Sequence, residues 1–177
     1  MRKLSMDELE RLSTASYKAV EKAPIVVVLE NIRSGLNVGS VFRTSDAFLV
    51  EAIHLCGYTP KPPHRDVLKS ALGATDSVEW QEYESIVDSI QYLKGKGYEI
   101  YAVEQVDESI YLPDFKLEKE DKVALVFGNE VYGVSDEALA LVDGCIEIPQ
   151  WGTKHSLNIS VCAGIVIWDV VQKMKSQ

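Results

Sequence analysis

The chain is predicted to be an α/β protein whose parallel sheet carries helices on both faces. Three observations carry that prediction. Solid apolar runs recur at 25–29 and 123–127, a pattern that suits strands covered on both sides. Amphipathic stretches of helical period stand between such runs, and alternating strand and helix signals point to a parallel sheet. Polar, glycine-containing loops follow the ends of the runs, where open α/β sheets place their chemistry.

Taken in order, residues 6–21 read as one amphipathic helix. Ser5-Met-Asp-Glu8 fits a capping box, and Met6, Leu9, Leu12, Ala19 and Val20 give the apolar stripe. Residues 1–22 are therefore set apart as an N-terminal helical extension ahead of a main domain, 23–177. Within that domain, 25–29 is a strand, 37–49 a helix and 52–56 a second strand. The three prolines of 58–63 make a loop. A short helix over 65–72 and an extended piece over 77–83 follow. Residues 84–94 are helical and stop at Gly95 and Gly97. After the strand at 98–103, the acidic stretch 104–121 reads as a surface excursion. Then come a buried strand at 123–127, a helix at 135–141 and a last strand at 145–148. Pro149 and Gly152 force a turn through Gln150-Trp-Gly-Thr-Lys-His155, and Ser156 is the expected N-cap of the final helix.

That final helix is apolar nearly all round, so it must be buried on more than one side. Leu157, Val161, Ile165 and Trp168 form one stripe, and Ile159, Cys162, Val166 and Val170 another. One stripe faces the sheet; the other calls for a second copy of the chain, with Val166→Glu expected to break the pair. Asn158, Ser160 and Asp169 interrupt the apolar run, which excludes a membrane span.

At 177 residues the chain fits one domain with a sizeable core. Cys56, Cys145 and Cys162 have neither metal-ligand spacing nor even pairing, and each has apolar neighbours. They read as reduced thiols of a cytoplasmic protein. The N-terminus shows no targeting signal. A net charge of −9, from 18 basic and 27 acidic residues, works against non-specific phosphate binding. Any nucleic-acid partner must meet a local basic patch.

Three clusters carry candidate chemistry. The first runs from Asn31 through Asn37, Gly39 and Arg43 to Asp46; its glycines, Gly35 and Gly39, permit close backbone approach. Asn37 and Arg43 lie six residues apart, under two helical turns, so both can reach one mouth. The bland reading is a helix entry with Arg43 in a surface ion pair. Gly35 and Gly39 do not have the spacing of a dinucleotide fingerprint. The second cluster, Gly128-Asn-Glu130-Val-Tyr-Gly133, frames a carboxylate with glycines after a buried strand; a structural turn is the alternative. The third is Ser156-Leu-Asn158, by itself only a cap.

Outside these, His155 beside Lys154 is a candidate phosphate or base contact, His54 reads as a satisfied core residue and His64 as a loop residue. Lys61, Arg65 and Lys69 are candidates for a basic rim, diluted by Asp66. The run 118–122 is most simply a solvated turn.

In this order and at these separations the three clusters resemble the SPOUT class of RNA methyltransferases, in its SpoU/TrmH branch of ribose 2′-O-methyltransferases. The likeness runs from about residue 25 to residue 171 and includes Asn31, Asn37-x-Gly39-x-x-x-Arg43, Gly128-x-Glu130-x-x-Gly133 and Ser156-Leu-Asn158. The resemblance implies a C-terminal deep trefoil knot, which general topology rules would not suggest. It implies transfer of the S-adenosylmethionine methyl group to a ribose 2′-hydroxyl of tRNA or rRNA; no metal is expected, because no His/Cys cluster in the sequence offers ligands. The cofactor is then expected on Gly128, Glu130 and Gly133, Ile148 and Pro149, and Leu157 with Asn158, with Glu104 adding a further loop. Arg43 is the residue such enzymes assign to catalysis. Because guanidinium keeps its proton to a pKa above about 12, its role here is read as holding a phosphate or stabilising a developing alkoxide. Asn37, Ser156 and Asn158 would orient the ribose and Arg43, and Glu130 would anchor the site. A homodimer through the C-terminal helix is also implied. The alternatives are a non-catalytic RNA-binding or assembly factor on the same fold, and a nucleotide-dependent oxidoreductase that would bind NAD instead.

Overall fold

A computed structural model describes residues 1–5, 7–9 and 11–175. Among these the sheet has seven strands in the order β3-β2-β1-β6-β4-β7-β5: β1 Ala23–Glu30, β2 Val50–Cys56, β3 Glu79–Tyr83, β4 Glu99–Val103, β5 Ile110–Tyr111, β6 Val123–Phe127 and β7 Gly144–Glu147. Every pairing between them is parallel. β1 and β6 lie at the centre, and their side chains alternate between two cores. Ile25, Val27, Leu29, Leu125 and Phe127 face one; Val26, Val28, Ala124 and Val126 face the other. Burial on both faces explains the unbroken apolar runs.

The first core is covered by α2 (Gly35–Ala47) and α7 (Ile159–Lys175), through Val38, Val41 and Phe42 of the former and Ala163, Val166, Ile167, Val170 and Val171 of the latter. The second is covered by α5 (Ile86–Gly95), through Ile86, Ile90 and Leu93, and by Ala138 of the short α6 (Asp136–Leu139). Two short helices, α3 (Arg65–Ala71) and α4 (Ala74–Ser77), pack beside α2. On the second face His54 is buried and its Nδ1 lies 2.8 Å from the Ser89 hydroxyl. Burial pushes its imidazole down to about 4, so it is neutral at physiological pH. It is the satisfied core residue that its strand position suggested.

Four expectations change. The single helix over 6–21 is instead a 3-10 turn, Asp7–Leu9, and a separate helix α1, Thr14–Ala19. The capping box itself forms, with Ser5 N–H donating to Glu8 at 2.7 Å and Glu8 N–H to the Ser5 hydroxyl at 3.4 Å. A second cap at Ser13, which accepts from Ser16 N–H, starts α1 afresh. The proposed stripe finds no surface to bury on: Leu9 and Leu12 are exposed, and Tyr17 alone anchors α1 in the core. Met6 and Glu10 lie outside the described residues.

The stretch 104–121 is more than a surface excursion, because Leu112, Phe115 and Leu117 are buried and the Phe115 ring meets Tyr101 edge-on at 4.7 Å. It closes the sheet edge through β5. The cap of α7 is Asn158, whose side-chain oxygen accepts from Ser160 N–H at 2.9 Å while its carbonyl accepts from Cys162 N–H. Ser156 lies outside the helix and is exposed. Finally, Val166 points into the chain's own core with no exposure, and the open stripe of α7 is Val161, Ile165 and Trp168. A test of association belongs on those residues.

Candidate active site

The loops after β6, β4 and β7 meet the start of α7 around a cleft of about 700 Å³, a size that suits a small cofactor. Gly128, Glu130 and Gly133 line it from the first loop, Glu104 from the second, Ile148 from the third, and Ser156, Leu157 and Asn158 from the entry to α7. Pro149, Asn37 and Arg43 are not among its lining residues.

The glycines of the first loop are there because a side chain has no room. A Cβ on Gly128 would stand 2.1 Å from the carbonyl carbon of Gly133, and one on Gly133 would stand 2.2 Å from a Glu104 oxygen. Gly133 also sits at φ 71°, which favours glycine. The loop folds back on itself through paired backbone hydrogen bonds between Asn129 and Gly133, both 2.9 Å. Glu104 braces it, accepting from Val134 N–H at 3.0 Å and from Gln105 N–H at 2.8 Å. Each of its oxygens keeps a lone pair for a ligand hydroxyl.

Glu130 reaches across to the start of α2. It accepts from Arg33 N–H at 2.8 Å, Ser34 N–H at 3.1 Å and the Asn37 side-chain amide at 3.1 Å. Burial pushes its carboxyl up, but the backbone donors and Asn37 outweigh that and hold it below the usual carboxylate range. A carboxylate at a helix N-terminus also complements the helix dipole. Asn37 in turn accepts from the Asn158 amide at 3.2 Å. All three sequence clusters are thereby joined in one hydrogen-bond chain, Glu130–Asn37–Asn158, at the rim of the cleft.

Arg43 lies elsewhere. It is exposed on α2 and lines a second hollow of about 490 Å³ with Ser40, Thr44, Ala47, Phe48, Lys69, Ser70 and Leu72. Six residues beyond Asn37, its Cα is roughly 9 Å further along the helix axis.

Sequence reasoning passed over Asn129, which ties the site together. It is buried, donates to the Asn31 carbonyl and the Tyr58 hydroxyl, both at 2.7 Å, and accepts from Val131 and Tyr132 N–H. The signal was present as an uncharged polar residue between Gly128 and Glu130, right after a fully buried strand. Gln105 was also missed; its amide donates to the His155 carbonyl at 2.8 Å and ties the β4 loop to the β7 loop. His155 lines the cleft, and Cys162 at its floor has its thiol pushed up to about 11 by burial and then by the nearby Glu104 charge.

The sequence profile of the SpoU rRNA methylase family matches residues 24–168. The chain belongs to that family. The likeness read from its three clusters thus holds, and S-adenosylmethionine-dependent methylation of RNA ribose 2′-hydroxyls is the chemistry that goes with membership. A tRNA (guanosine(18)-2′-O)-methyltransferase of Thermus thermophilus is 31% identical over 154 residues, covering 86% of this chain and 77% of that one. Among solved structures, the TrmH/SpoU tRNA modifying enzyme of A. aeolicus superposes with a TM-score of 0.79 at 25% identity, over 88% of this chain and 78% of that one. The SpoU methyltransferase AviRb of Streptomyces viridochromogenes, in complex with the cofactor AdoMet, gives a TM-score of 0.81 at 20% identity, over 90% and 64% of the two chains. At that identity the likeness concerns the fold.

Proposed function

We propose that the chain methylates a ribose 2′-hydroxyl of tRNA, with S-adenosylmethionine held in the cleft between Gly128–Gly133, Glu104, Ile148 and Leu157–Asn158. The observation that carries the reading is the Glu130–Asn37–Asn158 chain, which draws the three family clusters to one rim. A cleft of about 700 Å³ with a glycine-built wall that no Cβ could enter fits a ligand lying against backbone. When bound, S-adenosylmethionine supplies an electrophilic methyl group. The chain's own residues do the rest. Glu130 fixes the start of α2, Asn37 and Asn158 orient each other, exposed Ser156 offers a hydroxyl to the ribose, and Arg43 stabilises the ribose oxygen as its proton leaves to solvent. Pro149 sets the turn that carries Ile148 to the cleft wall.

We read residues 23–177 as the methyltransferase domain, with 123–175 as its knotted part, and 1–22 as an extension. Support for the knotted reading is that β7 pairs with β4 rather than with β6, the strand before it, and that α7 returns to pack on α2. The working form is a homodimer, for which the exposed stripe Val161, Ile165 and Trp168 beside Leu157 is the support. Among the described residues no helix is long and apolar enough to cross a membrane, and the reduced thiols suit a cytoplasmic enzyme.

The test is methyl transfer from labelled S-adenosylmethionine to tRNA and rRNA transcripts, followed by mapping of the modified ribose. Label in tRNA is the expected result. Label in rRNA alone would move the substrate; none in either RNA, with S-adenosylmethionine still bound, would favour the non-catalytic binding factor.

A further inference from the structure

The hollow that holds Arg43 has a second cation, and the fold places it there through Gly39. α2 and α3 touch at this glycine: a Cβ on it would stand 2.2 Å from the Ser70 hydroxyl, 2.2 Å from the Val67 carbonyl and 2.9 Å from the Ala71 amide. Such contact is open only to a residue without a side chain. Arg43 follows Gly39 by four residues and so projects from the same face of α2, one turn on. Lys69 is the chain neighbour of Ser70, the residue pressed against Gly39. The close crossing therefore delivers both cations to one hollow, and both line it.

Neither has a carboxylate partner among the described residues, in a protein with 27 acidic side chains. The other basic residues of the same region differ. Lys61 is paired with Glu82, and Arg65 is not among the residues that line the hollow. The hydroxyls of the hollow are also committed. Ser40 donates to the Leu36 carbonyl, Thr44 to the Ser40 carbonyl, and Ser70 to the Leu36 and Asp66 carbonyls. The donors free for an anion are thus those of Arg43 and Lys69.

We propose that this hollow binds a phosphodiester of the RNA substrate, with Lys69 as the second cation beside Arg43. The inference rests on the reading of the chain as an RNA methyltransferase and assigns where the substrate backbone is gripped. A fork and a point charge divide the work as their chemistry dictates: the guanidinium fixes orientation, and the ammonium adds attraction with little directional demand. Lys69 is a positioning residue. It also gives an acidic protein a local cationic seat, so that RNA affinity need not come from overall charge.

The experiment compares wild type with Lys69→Ala, Lys69→Arg and, as a surface control, Lys61→Ala, measuring kcat and KM for tRNA at several salt concentrations and S-adenosylmethionine affinity by calorimetry. Lys69→Ala should raise KM on the order of tenfold, the loss of one charge-assisted contact. It should lower the slope of log affinity against log salt by close to one, and leave kcat and cofactor affinity within about twofold. Lys69→Arg should recover most of the loss. Lys69 is exposed, and a thermal melt equal to wild type confirms that each variant is folded. The proposal is overturned if Lys69→Ala keeps the wild-type KM and salt slope, as Lys61→Ala is expected to do, or if Lys69→Arg is as impaired as Lys69→Ala. A wild type that methylates no RNA would instead overturn the underlying function, which separates the two failures.

Discussion

The two hollows at the ends of α2 are built on opposite plans. The cleft beside the glycine loop is made of backbone: glycines pressed against peptide groups, carboxylates that hold N–H groups, and amide side chains that hold one another. The Arg43 hollow is made of side chains, two cations standing without anions on the faces of two helices. The first is satisfied by its own hydrogen bonds; the second leaves its charge without a carboxylate partner among the described residues. The difference matches what each would hold. A small cofactor needs a fixed shape, whereas a polyanion needs charge in roughly the right place.

The largest effect should come from cutting the second plan at Arg43, the residue proposed to stabilise the ribose oxygen. Arg43→Ala should lower turnover about a thousandfold, at the upper end for loss of one transition-state donor, while S-adenosylmethionine affinity measured by calorimetry stays near wild type. Arg43→Lys should also turn over poorly, because the planar fork is gone. A variant that keeps most of its rate on a verified RNA would merge the two hollows into one binding surface and break the comparison.

Next in size is a cut in the first plan. Gly128→Ala puts a methyl group where the Gly133 peptide lies, so the loop must shift and cofactor affinity should fall about a hundredfold, or roughly 2.7 kcal/mol. RNA affinity in filter binding should change little. If RNA binding fell in parallel, the loop would serve both ligands and the division would be wrong.

How far the sequence speaks depends on whether a residue's partner is local. Periodicity gave the strands and main helices because burial on two faces writes itself along the chain. The order β3-β2-β1-β6-β4-β7-β5 was not legible, since each pairing is set by residues far apart in sequence. Gly39 was recognisable as a point of close approach, but only the fold supplies α3 as what approaches. Asn129 was overlooked for the same reason: its donors serve Asn31 and Tyr58, 98 and 71 residues away. The N-terminal helix failed in the other direction, because its local stripe was real but met no tertiary surface.

Glu130 ties the cleft loop to the start of α2, and its removal should have a middling effect. Glu130→Gln keeps the shape but can no longer accept from Arg33 and Ser34 N–H on both oxygens, so one donor faces an amide NH₂. Turnover should fall about tenfold, the scale of one charge-assisted hydrogen bond. The sign of the pH effect follows from a carboxyl held below its ordinary range. Its contribution to stability is complete above the unfolded carboxylate pKa and is lost as pH falls through the lowered folded value. The acid side of the melting profile should accordingly be flatter in Glu130→Gln than in wild type. An unchanged profile would mean that the helix entry is held by Ser34 and Asn37 alone.

The smallest effect separates Ser156, the cap expected from the sequence, from Asn158, the cap in the structure. Asn158, not Ser156, supplies the side-chain oxygen that accepts from Ser160 N–H, and it also donates to Asn37. Asn158→Ala should therefore cost about 1 kcal/mol of stability, the usual value of an N-cap, and should loosen the link between the cleft and the first turn of α2, seen as a rise in KM for S-adenosylmethionine. Ser156 is exposed and outside the helix, so Ser156→Ala should leave the denaturation midpoint within error. If the serine touches the ribose, its loss appears in kcat alone. The pair thus divides a structural cost from a chemical one: denaturant titration reads the first and single-turnover methylation the second. Equal destabilisation by the two substitutions would return the cap to Ser156 and move the start of α7 back by two residues.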